Sequence, residues 1–206
     1  MFDQVRGSAD GIAKIRMRPT KNEKRLMEEL IPIAQYVQAR YRADRRIKVR
    51  WHSGSQSFDA VLLSSGAFVE HGHVRREVFL EVTRAVHQNE HLVRELINQG
   101  GTSFGVKGIS RDKKTGKIAS EPYVRDGDEQ VADLADQVIE RLKSKAAKKY
   151  AANAILIIEC VPNGIVLDGE WTASINRVKD AKVQHNFAEV FVFCGYLSHS
   201  ATLYGE

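Results

Sequence analysis

Phe58-Asp59-Ala60-Val61-Leu62-Leu63 and, further on, Glu77-Val78-Phe79-Leu80-Glu81-Val82-Thr83-Arg84-Ala85 are the stretches whose reading decides the fold. The first is a short apolar run and reads as a strand. The second alternates: Val78, Leu80 and Val82 fall on one face, Glu77, Phe79, Glu81 and Thr83 on the other. The Gly- and His-containing stretch Ser64 to Arg76 can join the two as a hairpin, which brings Asp59 and Glu81, 22 residues apart in sequence, to neighbouring positions. Two carboxylates plus water suit Mg²⁺ or Mn²⁺, hard cations that take oxygen ligands and bind phosphates.

Working outward, Thr20-Lys21-Asn22-Glu23 fits a capping box and starts a helix whose apolar stripe is Leu26, Leu30, Ile33 and Val37, with Pro32 interrupting it. Arg40, Arg42, Arg45 and Arg46 close that helix, and a strand follows over Ile47–Trp51. Beyond Glu81, His87–Asn98 reads as a short helix stopped by Gly100-Gly101. Ser103 to Val124 reads as a two-stranded excursion turning at Lys113–Lys117. Asp126 to Tyr150 carries Val131, Leu134, Ala135, Val138 and Leu142 at the 3.6-residue period of a helix. The unalternated run Ala154–Ile158 predicts a strand covered on both faces. A turn at Asn163-Gly164, a helix over Glu170–Val183 and an inner strand over Val190–Tyr196 complete the chain. The expected fold is α/β, with a mixed central sheet flanked by helices.

Asp59, then Glu81-Val82-Thr83, then a helix and a buried strand, in that order, resemble the pattern of the PD-(D/E)xK nuclease superfamily, the restriction-endonuclease-like fold. The resemblance covers roughly Lys21 to Cys160. It implies one α/β domain over 1–206, with a core at about 21–160 and a C-terminal extension at about 161–206. It further implies a Mg²⁺- or Mn²⁺-dependent nuclease that hydrolyses phosphodiester bonds, with Asp59 and Glu81 as metal ligands. Thr83 stands where the family carries lysine; its hydroxyl can orient water but supplies no positive charge. The alternative is a catalytically inactive nuclease-like fold that serves as a nucleic-acid-binding or protein-interaction module.

A substitute cation is sought on the long helix. At 100° per residue Lys145 and Lys149 fall close to Val138, inside the apolar stripe. Either a lysine reaches into the site from this helix, or, as the commoner explanation, both snorkel at the helix end. Gln88 and Arg94, with His87, follow the Glu81 strand and can hold water or fork onto a phosphate. Lys113 and Lys114 form a basic tip that can touch a phosphate backbone, although solvated lysine tips are commoner. Glu70 and Glu77 are spare acids. His71, His73, His87 and His91 offer imidazoles for Zn²⁺, but without the Glu of a zinc-protease helix and without paired cysteines zinc is the weaker expectation.

The chain has 206 residues, 43% of them hydrophobic, enough for one sizeable core, and its formal charge of +5 suits a polyanionic partner. Nucleic acid is the expected partner, DNA ahead of RNA, and a homodimer is compatible with the sequence. No apolar stretch is long enough for a membrane span and the first 18 residues lack a secretory core, so a cytoplasmic protein is expected. Cys160 and Cys194 each lie in an apolar run and read as buried free thiols. Neither a Gly-x-Ser-x-Gly elbow nor a P-loop is present.

Overall fold

The run that does not alternate is covered on both sides. In the computed structural model, which describes residues 2–52, 54, 56–124, 126–162, 166–195 and 198–204, Ala154–Val161 form strand β6. Leu156 and Ile158 face one helical layer and Ile155 and Ile157 the other, all buried. Two covered faces need no polar positions, which is why the sequence shows no period of two here.

Around β6 stands a six-stranded sheet. Its order is β1 (Arg46–Trp51), β2 (Ala60–Ser65), β3 (Glu77–Val86), β6, β7 (Glu189–Cys194) and β8 (His199–Tyr204). β1, β2 and β3 are antiparallel neighbours, β3, β6 and β7 run parallel, and β8 returns antiparallel at the far edge. Helix α4 (Ile31–Arg40) packs Ile33 and Tyr36 on the face that holds Leu62, Leu80 and Val82. Helices α7 (Gly127–Ala146) and α8 (Asp168–Asp180) cover the other face through Leu134, Val138, Leu142, Trp171 and Ile175. The architecture is therefore α/β with a mixed sheet between helical layers.

The first predicted helix starts as its capping box requires. Thr20 caps α3 (Lys21–Arg25), and the Glu23 side chain accepts from the Thr20 backbone N–H. Pro32 does not break the path. It occupies the first turn of α4, where its missing N–H is tolerated, and a π-helical turn over Leu26–Leu30 precedes it. That wide turn shifts the helical phase, so Glu28 and Glu29 point where a regular helix would not have put them.

Several boundaries differ from the expectation. The β2 ladder begins at Ala60 rather than Phe58, which leaves Asp59 just outside it. Asp126 caps α7 by accepting from Glu129 N at 2.7 Å, but the helix ends at Ala146, so Lys149 lies beyond it and is exposed. Within the C-terminal extension expected over about 161–206, β7 and β8 join the main sheet and the α8 helix packs on α7. Strand β8 has no counterpart in the sequence reading, because half of His199–Tyr204 is polar; as an edge strand it needs only one apolar face. Helices α1 (Phe2–Arg6), α2 (Gly11–Met17) and the short α5 (Ala67–Glu70) have none either, and α2 lies against α6 (Glu90–Asn98). The basic excursion is a separate hairpin of β4 (Ile109–Arg111) and β5 (Ile118–Ser120), whose Ile109 and Ile118 pack on Leu92 of α6. The turn expected at Asn163-Gly164, and Tyr196 at the end of the last inner strand, lie outside the described residues. Cys160 and Cys194 are buried thiols. Among the described residues no helix is long and apolar enough to cross a membrane.

Leu156 is fully buried in the central strand, whereas Leu167 is 64% exposed. Leu156→Ala is expected to lower the unfolding free energy by about 2–5 kcal/mol and Leu167→Ala by less than about 0.5 kcal/mol, measured by urea denaturation.

Candidate functional site

β2 pairs with β3 only from the Leu63–Glu77 pair to the Ala60–Leu80 pair, so the second half of β3 has no neighbour on that side. Asp59 sits where the two strands part. Its backbone N–H still donates to Leu80 O at 2.8 Å, while its Oδ2 accepts from the Val82 N–H at 2.8 Å. A carboxylate thus caps an open strand edge. Glu81 comes next on β3, facing α7 with Thr83, and is 8% exposed.

A cation reaches Glu81 from α7. Lys145 Nζ lies 2.5 Å from Glu81 Oε1, and the Tyr150 hydroxyl donates to the same oxygen at 3.1 Å. Lys145 is therefore not snorkelling into solvent; of the two lysines, it alone reaches the strands, since Lys149 follows the end of the helix. The π-helical turn adds a third acid. Glu29 accepts from Trp51 Nε1 at 2.9 Å and lines the same cavity as Asp59, Glu81 and Lys145, a space of about 340 Å³. Three carboxylates against one ammonium leave this group with a formal charge of −2 (one minus three). Burial pushes the Asp59 carboxyl up to about 6, and the charges of Glu81 and Glu29 add to the rise, while the Val82 N–H and Lys145 oppose it. Burial also raises the Tyr150 phenol, with the Glu81 charge acting in the same sense, so it remains a donor.

Arginines paired with glutamates stand at or near this cavity. Arg84 Nε lies 2.5 Å from Glu159 Oε2, and Arg18 Nη1 lies 2.9 Å from Glu28 Oε1. Arg18, 8% exposed and left-handed at φ 53°, is held below its ordinary value chiefly by burial. Arg94 pairs with Glu90 at 2.8 Å and donates to the Arg16 carbonyl at 3.3 Å; with Arg84 it lines the cavity.

Of the residues singled out from sequence, Asp59, Glu81, Thr83, Lys145 and Arg94 meet at one cavity. Gln88, Lys113 and Lys114 do not: all three are exposed and none lines it. Glu70 and Glu77 are likewise exposed and apart from it. Glu29, Tyr150, Trp51 and Arg84 escape the sequence reading. Glu29 depends on the π-helical phase and Tyr150 on the chain beyond α7, and no periodicity announces either. A larger cavity of about 560 Å³ lies elsewhere, but a single carboxylate lines it, so charge and not volume selects this site.

Among the described residues no three His, Cys, Asp or Glu side chains converge tightly enough to form a complete protein ligand set. Zinc on the histidines has no such set to use. Mg²⁺ asks for less, since one or two carboxylates with water and substrate phosphate suffice. Asp59 and Glu81, which line one cavity with Glu29, are the residues that would hold such a cation. Compared with known proteins, the chain matches no family model, no curated protein and no solved structure.

The raised Asp59 carboxyl has a consequence for stability. Between its ordinary 3.8 and about 6 the folded chain holds a proton that the unfolded chain has released. The stability linked to this proton is complete below about pH 4 and lost as pH rises through 6. Asp59→Asn, whose amide can still accept from Val82, is therefore expected to exceed the parent in stability at pH 7.5 by on the order of 1–3 kcal/mol and to match it at pH 3.5. Chemical denaturation at the two pH values checks this.

Proposed function

We propose that the protein is a metal-dependent nuclease of restriction-endonuclease-like architecture that hydrolyses phosphodiester bonds in nucleic acid. The observation that carries this reading is the meeting of Asp59, Glu81 and Lys145 where β2 parts from β3. In the resembled superfamily a strand-borne acid pair works with a lysine; here the ammonium comes from α7 while Thr83 occupies the usual place. A divalent cation bound by Asp59 and Glu81 would supply Lewis-acid polarisation of the phosphoryl oxygens. Lys145 and Tyr150 hold Glu81 in one orientation, and Lys145 brings positive charge to where negative charge develops. Arg84 and Arg94 line the same cavity and would be the groups to meet a phosphate there.

The surroundings suit a polyanion. Arg46, Lys48 and Arg50 alternate along β1, all exposed and without an ion-pair partner among the described residues. The register sets Arg50 opposite Val61 and Val61 opposite Phe79, which puts these side chains on the sheet face that carries Glu81. Their spacing is about 6.7 Å, two strand residues, and the row runs from Arg50, at the Asp59 end, away towards Arg46.

A second reading has its own support: Lys145 already satisfies Glu81, and an ammonium in a cation's place is what a metal-free nucleic-acid-binding descendant would carry.

Cleavage of supercoiled, linear and single-stranded substrates with Mg²⁺ or Mn²⁺ separates the two. Activity abolished by chelation and lowered about a hundredfold or more by Asp59→Asn, Glu81→Gln and Lys145→Met is the expected outcome; equal cleavage by all variants would discard the site. Binding without metal-dependent cleavage would favour the second reading. On either, replacing Arg46, Lys48 and Arg50 by alanine is expected to weaken binding. The log–log salt dependence should flatten by about 0.7–0.9 for each phosphate no longer neutralised, read from fluorescence anisotropy at several salt concentrations.

A further inference from the structure

Three lysines that the acidic cavity does not use stand at the tip of the hairpin formed by β4 and β5. Leu92 and Leu96 of α6 hold this hairpin, whereas Glu90 and Arg94, on the other side of the helix, line the cavity. Between the strands the chain turns over Asp112–Lys117. Asp112 Oδ1 accepts from the Lys114 N–H at 3.0 Å, the Thr115 N–H at 2.6 Å and the Thr115 hydroxyl at 2.8 Å. The one acid of the tip is thus engaged in shaping the turn. Lys113, Lys114 and Lys117 are exposed and have no ion-pair partner among the described residues. The formal charge over 112–117 is +2 (three minus one).

An aromatic ring stands at the base of the same hairpin. Phe104 is 57% exposed, and its ring meets no other ring among the described residues. Its backbone is nevertheless fixed, since its N–H donates to Ser120 Oγ at 3.0 Å and Ser103 Oγ accepts from the Gly105 N–H at 3.2 Å. Ser120 follows Lys117 by three residues, about 10 Å of strand, so the ring and the ammonium groups lie along one short path.

We propose that the hairpin is a second nucleic-acid contact, selective for single strands, with a base stacked on Phe104 and the adjoining phosphates on Lys113, Lys114 and Lys117. The flat face of a base is free to stack on a protein ring only where the strand is unpaired; a duplex shows base edges in its grooves. Lysine ammonium groups act as point charges, which suits a backbone without fixed geometry. A bilayer fits less well, because ring and charges lie at opposite ends of the hairpin and a flat surface that meets the tip leaves Phe104 behind. This contact rests on the nucleic-acid reading given above and not on cleavage.

Fluorescence anisotropy without metal, at several salt concentrations, tests it with an oligothymidylate of about 12 nucleotides and a duplex of the same length. The parent should bind the single strand saturably. Phe104→Ala should weaken the single strand about tenfold and change duplex binding by less than about twofold, and Phe104→Trp should restore the parent's affinity. Replacing Lys113, Lys114 and Lys117 by alanine should weaken the single strand and flatten its log–log salt dependence by about 0.7 for each phosphate released. These positions are exposed, so the variants read binding and not folding. Single-strand binding through Phe104 without Mg²⁺-dependent cleavage would remove the nuclease reading and leave this contact standing. Absence of saturable single-strand binding, or equal loss on the duplex in Phe104→Ala, would overturn it. So would Phe104→Ala binding oligothymidylate as the parent does; phosphatidylserine vesicles that bind the parent and not Phe104→Ala would then assign the ring to a membrane.

Discussion

Three carboxylates and one ammonium share a partly buried space at the point where β2 leaves β3, and the local structure is organised around that imbalance. Burying Asp59 next to Glu81 and Glu29 is unfavourable and pushes its carboxyl up to about 6. The fold tolerates this because each acid has a fixed donor: the Val82 N–H for Asp59, Lys145 and Tyr150 for Glu81, and the Trp51 indole for Glu29. Hydrogen bonds position the acids without removing their net charge. On the proposed reading, a divalent cation would supply the positive charge that these acids lack.

The distance of each contributor along the chain explains why a large sheet is needed to build so small a site. Glu29 comes from the π-helical turn ahead of Pro32, Asp59 and Glu81 from diverging strands, and Lys145 from the last turn of α7. The helix and the strand can meet because Leu134, Val138 and Leu142 fix α7 on the sheet against Leu156 and Ile158. An apolar core thereby sets the position of a polar contact that spans 64 residues of sequence.

What is legible in the sequence follows from periodicity. The alternation of Val78, Leu80 and Val82, the 3.6-residue stripe of α7 and the unalternated β6 are local consequences of which faces are covered, so the sheet and its acidic face can be read directly. Lys145 is legible only as an anomaly, a charged residue within an apolar stripe, and helical geometry alone does not separate reaching inward from snorkelling. Glu29 is not legible, since a π-helical turn changes phase without a sequence signature. Strand β8 is hidden by its half-polar composition, and the short helices α1 and α2 by the absence of a long apolar stripe. Gln88, Lys113 and Lys114 stand out by residue type near a turn or tip, and type without register does not fix where a side chain ends up.

The most direct measurement is Mn²⁺ binding to the intact protein at pH 7.5, followed by calorimetry or by disappearance of the free-ion electron paramagnetic resonance signal, with Mg²⁺ as competitor. Saturable binding of one or two ions, displaced by Mg²⁺ and abolished in both Asp59→Asn and Glu81→Gln, is the expected result. Folded protein that takes up no Mn²⁺, or variants that bind it as well as the parent does, would contradict the claim that these acids await a cation.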